Sequence, residues 1–168
     1  MEDIIIRKAS RGDAEAIVAF LDTIGGESDN LSFGAEGLGI TPESEADFID
    51  RVSSDARSAF FIALRNGKVI GDVTLSGLPR RMSHRAELSI AVAKSDWGKG
   101  IGSKLMEKAI IHAAENGIEI INLEVRSDNE RAIKLYGKYG FLKTGVSPAS
   151  FMIDGKYYDA DTMALDLR

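Results

Sequence analysis

The chain has 168 residues, and at roughly 100–200 residues per domain that favours a single domain spanning 1–168. Its 21 lysines and arginines against 26 aspartates and glutamates leave a net charge of −5, a poor balance for general binding of nucleic acid or anionic membrane that leaves room only for a local basic patch. Hydrophobic residues at 44% and charged residues at 28% sit near the globular average and exclude wholesale disorder. The absence of cysteine removes disulfides, thiolate metal sites and any thiol nucleophile, and fits a reducing compartment. Met1 to Arg7 is acidic and then only briefly apolar, unlike a basic-then-apolar secretion signal. No apolar run approaches the ~20 residues of a membrane helix. The expectation is a soluble, cytoplasmic protein.

Strand-like and helix-like stretches alternate without an internal repeat. Ile4 to Ile6 form a β-branched run, and Ser10 with Asp13 three residues on makes an approximate capping box for a helix whose stripe is Ala14, Ile17, Val18 and Leu21. From Gly25 to Gly39, five glycines with Ser28, Asp29 and Asn30 predict a mobile loop long enough to be functional. Thr41-Pro42 starts the next helix. Its Glu43, Glu45, Asp47 and Asp50, beside Phe48, Ile49 and Val52, offer either a solvated acidic face or a wall that attracts a cationic substrate.

Ala59 to Leu64 and Val69 to Leu75 are strands joined by Asn66-Gly67, a strong hairpin signal. A third strand runs from Arg85 to Ala93, with Ala86, Leu88, Ile90 and Val92 on one face and Glu87, Ser89 and Ala91 on the other. Three consecutive strands argue against a Rossmann order. A long helix follows from Gly100 to Asn116, where Ile101, Leu105, Ala109 and Ala113 recur every four residues and Gly117 ends it. Ile118 to Val125 is a strand, Asp128 or Asn129 caps a helix carrying Ala132, Ile133, Leu135 and Tyr136, and two strands, Phe141 to Val146 and Tyr157 to Leu167, close the chain around an Asp154-Gly155 turn. The sum is an α/β (α+β) domain with a mixed, mostly antiparallel sheet.

The segment Trp97-Gly98-Lys99-Gly100-Ile101-Gly102-Ser103-Lys104 joins a strand to the best helix in the chain. Glycines there turn the backbone sharply and aim successive N–H groups into one concavity, to which the helix N-terminus adds partial positive charge. Both favour a phosphate. A Walker loop fails because Lys104 follows Ser103, and a dinucleotide fingerprint fails because the last position is Ser103 or Leu105 rather than glycine. A coenzyme A pyrophosphate loop suits the spacing; the alternative is a glycine-rich turn that merely enters a helix.

Val92 to Met106, with that segment at its centre, resembles the acetyl-CoA signature of the GNAT superfamily of N-acetyltransferases. A second block, Leu123-Glu124-Val125-Arg126-Ser127-Asp128-Asn129-Glu130-Arg131-Ala132-Ile133-Lys134-Leu135-Tyr136 with Tyr139-Gly140-Phe141, matches downstream, and the order of elements resembles the family over essentially the whole chain. One departure is plain: the family's pattern usually opens with Gln or Arg where this chain has Trp97. Because the loop acts through backbone N–H groups, cofactor binding is expected to tolerate it. The resemblance implies a GNAT-like sheet of about six to seven strands flanked by about four helices. It also implies acetyl-CoA as cosubstrate held by Trp97 to Ser103, a third strand whose Ile90, Ala91 and Val92 contact the pantetheine and polarise the thioester carbonyl, and homodimers as a common state.

Acetyl transfer to an amine also needs an acid for the leaving thiolate and a base for the ammonium. Tyr136 lies seven residues after Asn129, nearly two helical turns, so both side chains share a face. Asn129 can then hold the pantetheine arm while Tyr136, a phenol of ordinary pKa ~10, donates to the sulfur. The competing reading is a tyrosine packed at a helix end. Glu87, on the third strand where family members often use a carboxylate, is the candidate base, against a solvated strand residue. His84 is the alternative, since an imidazole titrates near neutrality, while His112 on the long helix reads as structural. The two histidines are far apart and offer no metal-ligand spacing. Without a Cys or a Gly-x-Ser-x-Gly elbow, direct transfer in a ternary complex is preferred to a covalent route.

The resemblance places the acceptor side at Gly25 to Thr41, the acidic helix, and Ser147 to Asp161, where Asp154, Tyr157, Tyr158, Asp159 and Asp161 add polar and aromatic groups. Acidic groups in both regions point to a small cationic amine. A protein N-terminus or lysine is the rival within the same chemistry; a non-catalytic CoA-binding domain and a nucleotide-binding module are the rivals outside it.

Overall fold

In the computed structural model, which describes residues 3–168, seven strands form one sheet in the order β1-β2-β3-β4-β5-β7-β6. They are β1 (Ile4–Lys8), β2 (Ala59–Arg65), β3 (Lys68–Gly77), β4 (Arg85–Val92), β5 (Ile120–Arg126), β6 (Leu142–Ile153) and β7 (Lys156–Asp166). Four α-helices flank them: α1 (Ala14–Gly25), α2 (Pro42–Ser54), α3 (Ile101–Glu115) and α4 (Glu130–Lys138). Met1 and Glu2, where the comparison with a secretion signal begins, lie outside the described residues. Every neighbouring pair is antiparallel except β4–β5, so the sheet is mixed and mostly antiparallel, as expected. Among the described residues, no helix is long and apolar enough to cross a membrane.

Local chemistry sets most of these boundaries. Asn66 and Gly67 take φ of 50° and 76°, the left-handed pair that a two-residue hairpin turn demands. Thr41 and Ser44 form a reciprocal capping box ahead of Pro42 at the start of α2. The box at Ser10 and Asp13 also forms, its Ser10 N–H donating to Asp13 Oδ2 at 2.7 Å. Arg7 forks the same carboxylate at 2.8 Å on each oxygen, and the two together hold Asp13 at a pKa of about 2. That tightening makes Arg11–Asp13 a 3₁₀ turn, so α1 opens at Ala14 rather than beside Ser10.

Two apolar layers sandwich the sheet. Along β2 the alternation sends Phe60, Ile62 and Leu64 to the α1–α2 side, where they meet Ile17, Phe20, Ile24, Ile49 and Val52. Phe61 and Ala63 go to the other side with Ile101, Leu105, Met106 and Ala109 of α3 and Tyr136 of α4. A strand buried on both faces reads as a continuous apolar run, which Ala59 to Leu64 does.

β6 departs from expectation. It runs to Ile153 rather than ending at Val146, because it is the edge strand, where proline is tolerated. The Ser147-Pro148-Ala149-Ser150 break in the pattern becomes a register shift between Ser147 and Phe151. There Ala149 adopts φ 51° and donates its N–H to Asp159 Oδ1 at 2.9 Å.

Between α2 and β3 the fold buries two carboxyl groups. Glu45 and Asp72 are 6% and 8% exposed, and among the described residues neither side chain has a hydrogen-bond or ion-pair partner. Burial, with the charge of Glu45 adding to it, pushes Asp72 up to about 7. A carboxyl whose folded pKa is raised loses stability as pH climbs through that pKa, so its penalty is absent near pH 4 and complete above 7. Asp72→Asn is therefore expected to leave stability unchanged at about pH 4 and raise it at about pH 8 by up to about 4 kcal/mol. Urea unfolding of both proteins at the two pH values measures the difference, and a gain of equal size at both would reject the assignment.

Candidate active site

β4 and β5 pair only over Arg85–Glu87 and Ile120–Asn122, then part, while β4 stays on β3 as far as Val92. Leu78 N–H donates to Arg85 C=O and Ala93 N–H to Ile70 C=O, both at 2.9 Å, which fixes the odd-numbered residues of β4 as those bonded to β3. By the alternation of an antiparallel ladder, Leu88, Ile90 and Val92 turn their N–H and C=O groups into the split. Ala91 lines the same cavity, but its own backbone groups face β3. The carbonyl of Val92 is taken by Trp97 Nε1 at 2.9 Å.

The glycine segment follows directly. Gly98 and Gly100 hold φ of 74° and 82°, and neither is crowded, so conformation rather than space requires glycine there. Gly102 is limited by space instead: a Cβ there would lie 3.2 Å from Leu135 Cδ2, which would have to give by a few tenths of an ångström where α3 and α4 approach. The first helical bond is Lys104 N–H to Gly100 C=O at 3.1 Å, and among the described residues no backbone acceptor takes the N–H groups from Gly98 to Ser103. They form an anion cradle at a helix N-terminus. Lys99 is the one residue of the expected set whose side chain leaves the cavity wall; its Nζ turns back to Asp96 at 3.4 Å. Buried Asp96 also pairs with Arg65 at 2.5 Å, and these partners hold its carboxyl below the usual range against the effect of burial.

Across the split, Asn129 caps α4 by accepting from Ala132 N–H at 3.3 Å, which leaves its amide N–H₂ free to donate. Tyr136 lines the same cavity. It is 7% exposed and packs 5.9 Å from the Phe141 ring, and its phenol has no hydrogen-bond partner among the described residues. Among the described residues no fully buried side-chain oxygen or nitrogen lacks a partner, so the phenol oxygen opens onto the cavity that Tyr136 lines. Burial pushes it up to about 12, and it stays protonated at any physiological pH.

The cavity holds about 490 Å³ and is walled on the remaining side by the segment 26–41, which forms no helix or strand. That segment, expected to be mobile, is tied to both lips of the split. Lys94 N–H, just past β4, donates to Glu27 Oε2 at 2.7 Å, and Arg126 Nη1, at the end of β5, donates to Asp29 C=O at 2.9 Å. Arg126 also forks Asp128 at 2.9 and 2.6 Å and lies 3.9 Å over the Tyr158 ring.

Several expected acceptor groups are elsewhere. No α2 residue lines the cavity: Asp47 and Asp50 pair with Arg11, and Glu45 is buried. Asp154 occupies a left-handed turn position, Tyr157 is 66% exposed, Asp159 and Asp161 bond to Ala149 and Ser127, and Phe151 reaches the cavity instead. Glu87 lies outside the cavity, on the face of β4 opposite Ile90, in a shallow depression with Phe48, Thr74 and Ser76. Leu88 and Ser89 line both hollows. Three carboxylates line the cavity with Tyr136: Glu27 accepts from Lys94 N–H and Asp96 is engaged by Arg65 and Lys99, while Glu124 is in neither tie. Glu124 and Arg126 were legible as i, i+2 partners on β5, facing away from Leu123 and Val125. His84 is exposed at the mouth of β4, and His112 bonds to Ala56 C=O at 2.9 Å beside Phe61, a structural contact. Among the described residues no group of three His, Asp or Glu side chains is gathered that could hold a metal ion.

A split sheet edge facing a glycine cradle has a counterpart among known families. The family model of the acetyltransferase (GNAT) family matches residues 30–141, more than half of the chain. The chain belongs to the GNAT family of acetyltransferases. A GNAT-family acetyltransferase from Streptococcus pneumoniae has the same structure, with a TM-score of 0.94 at 32% identity over 98% of this chain and 99% of that one. The L-amino acid N-acetyltransferase of Escherichia coli (strain K12) is 30% identical over 98% of both chains. An acetyltransferase structure from Salmonella typhimurium, solved with its cofactor acetyl-CoA, shares the fold at a TM-score of 0.86 and 21% identity, covering 99% and 95% of the two chains. The protein is an acetyl-CoA-dependent N-acetyltransferase, and the unpaired cradle donors, the free β4 edge and the apolar walls fit that cosubstrate.

If the left-handed turn aims the cradle, forcing a Cβ onto it should misaim it. Gly100→Ala has room but must hold φ 82°, at a penalty of roughly 1–2 kcal/mol. Acetyl-CoA affinity should fall about tenfold with a lower melting temperature; calorimetry and thermal unfolding read the two, and unchanged affinity would show that the turn does not aim the donors.

Proposed function

We propose that this acetyltransferase passes the acetyl group directly to the amine of a small molecule, with Tyr136 as the acid that protonates the leaving thiolate. The observation that carries this reading is the neutral, unpartnered phenol opening onto the cavity that the cradle and the free β4 edge also line. On this reading the N–H groups of Ile90 and Val92 donate to the thioester oxygen as it gains charge, and Asn129 holds the pantetheine arm. The amine nitrogen bonds to the carbonyl carbon, the carbon–sulfur bond breaks, the sulfur takes the phenol's proton, and a carboxylate takes the proton lost by nitrogen.

Two carboxylates can serve as that base. Glu124 is favoured by lining the cavity itself; Glu87 requires a water through the hollow that shares Leu88 and Ser89 with it. A small acceptor is supported by the walled acceptor side, where Asn30, Leu31 and Phe33 of the tied segment line the cavity together with Phe151. It is also supported by the full-length similarity to an enzyme named for L-amino acids.

Tyr136→Phe is expected to lower kcat by about a hundredfold or more with little change in acetyl-CoA affinity, the range removed with a positioned acid. Release of free CoA thiol across L-amino acids, polyamines and short peptides should saturate with a free small amine; strong preference for peptides would assign a protein acceptor, and no release with any amine would assign a binding domain. In the same assay Glu124→Gln should slow turnover more than Glu87→Gln, and the reverse order would give the base to Glu87.

A further inference from the structure

Position 97, where the family's pattern usually opens with Gln or Arg, carries the chain's only tryptophan, and a guanidinium comes to the same place from another element. Arg131, two residues past the cap of α4, lies with Cζ 3.2 Å from the centre of the Trp97 ring. The indole is itself fixed by its bond to Val92 C=O. Stacked this way, Arg131 has one face covered and its in-plane N–H donors directed outward. Among the described residues it makes no hydrogen bond or ion pair, although it lines the cavity beside Gly98, Gly100 and Ser103. Other charges around the ring do not satisfy it: Lys94 Nζ is 5.9 Å from the same ring, and Asp96 is engaged by Arg65 and Lys99. Packing against the ring desolvates the cation and lowers its pKa from the usual guanidinium value, well short of discharging it.

A preorganised, unpaired guanidinium at the rim of an anion cradle marks a place for a phosphate oxyanion. We propose that Trp97 and Arg131 form a stacked platform whose guanidinium binds a phosphate of the 3′-phospho-ADP end of acetyl-CoA, so that the polar group absent at residue 97 is supplied from α4. This rests on acetyl-CoA as cosubstrate and adds a side-chain cation to a cradle otherwise built from backbone N–H groups. It also couples the two walls of the split: a phosphate held by both α3 and Arg131 ties the start of α4, which Asn129 caps, to the glycine turn.

The full-length protein reports on this without turnover. Calorimetry, with Trp97 emission as a second signal, is run against CoA, dephospho-CoA and pantetheine for the native protein and for Arg131→Gln and Arg131→Lys. Arg131→Gln is expected to weaken CoA binding about tenfold or more, the range for loss of a charge-assisted bond, and to leave pantetheine binding unchanged. Arg131→Lys should recover only part, because a point charge replaces the stacked fork. The slope of log affinity against log salt should flatten in Arg131→Gln. If the loss persists with dephospho-CoA the platform serves the pyrophosphate, and if it vanishes the 3′-phosphate; either supports the proposal. Equal losses for CoA and pantetheine, or none for CoA, would overturn it. Failure of the native protein to bind CoA would instead overturn the reading on which it rests.

Discussion

The site depends on where one parallel pairing stops. β4 and β5 share three residue pairs and then separate, yet neither strand is left alone, because β4 keeps β3 to Val92 and β5 keeps β7 to Arg126. Each lip of the split is thus supported from behind. The only backbone groups exposed by the separation are those on the facing edges, and buried unpaired donors and acceptors are costly enough that something must meet them. Trp97 meets the carbonyl of Val92. The donors of Ile90 and Val92 remain for whatever enters, which is why a ligand that carries its own carbonyl and amides suits the place.

The same parting decides what the flanking segments must do. A split open on two sides would admit water freely, and the 26–41 segment closes one side by bonding to both lips, at Lys94 and at Arg126. Arg126 is 7% exposed and has its donors shared between Asp29 and Asp128 while its face lies on Tyr158. One side chain therefore fixes the acceptor segment, the residue before the α4 cap, and β7 together. Truncating it would release three walls, so Arg126 is better understood as architecture than as a free cation for substrate.

Much of this was legible from short-range patterns, because the causes are short-range. Asn66-Gly67, the Thr41-Pro42 helix start, and the glycines at 98 and 100 act through the conformation of their own backbone, and their positions carried over intact. The late start of α1, after a 3₁₀ turn, was not legible, since it needs Arg7 to reach Asp13 from another element. Nor was the extension of β6 through Pro148, which depends on β6 being an edge. Period-two alternation correctly separated Glu87 from Ile90, but it cannot say which face carries which helices. The ties that build the cavity, Glu27 with Lys94, Asp29 with Arg126 and Trp97 with Arg131, join residues distant in sequence and leave no local pattern.

The buried state of Tyr136 bears on its proposed role in a way that its pKa alone misrepresents. A phenol at about 12 looks a poor donor to a thiolate whose conjugate acid titrates near about 8.5 in water. The thiolate leaves into the same apolar walls, however, and burial raises a thiol as it raises a phenol. The comparison that governs proton transfer is between two anions penalised together, and their separation in water is worth only about 2 kcal/mol. A phenol with no partner in the protein has its proton uncommitted, and a charge-assisted bond to sulfur is of the size needed to offset that difference. Had a backbone carbonyl been within reach, the proton would be engaged before the thiolate formed; the apolar packing on Phe141 keeps it available.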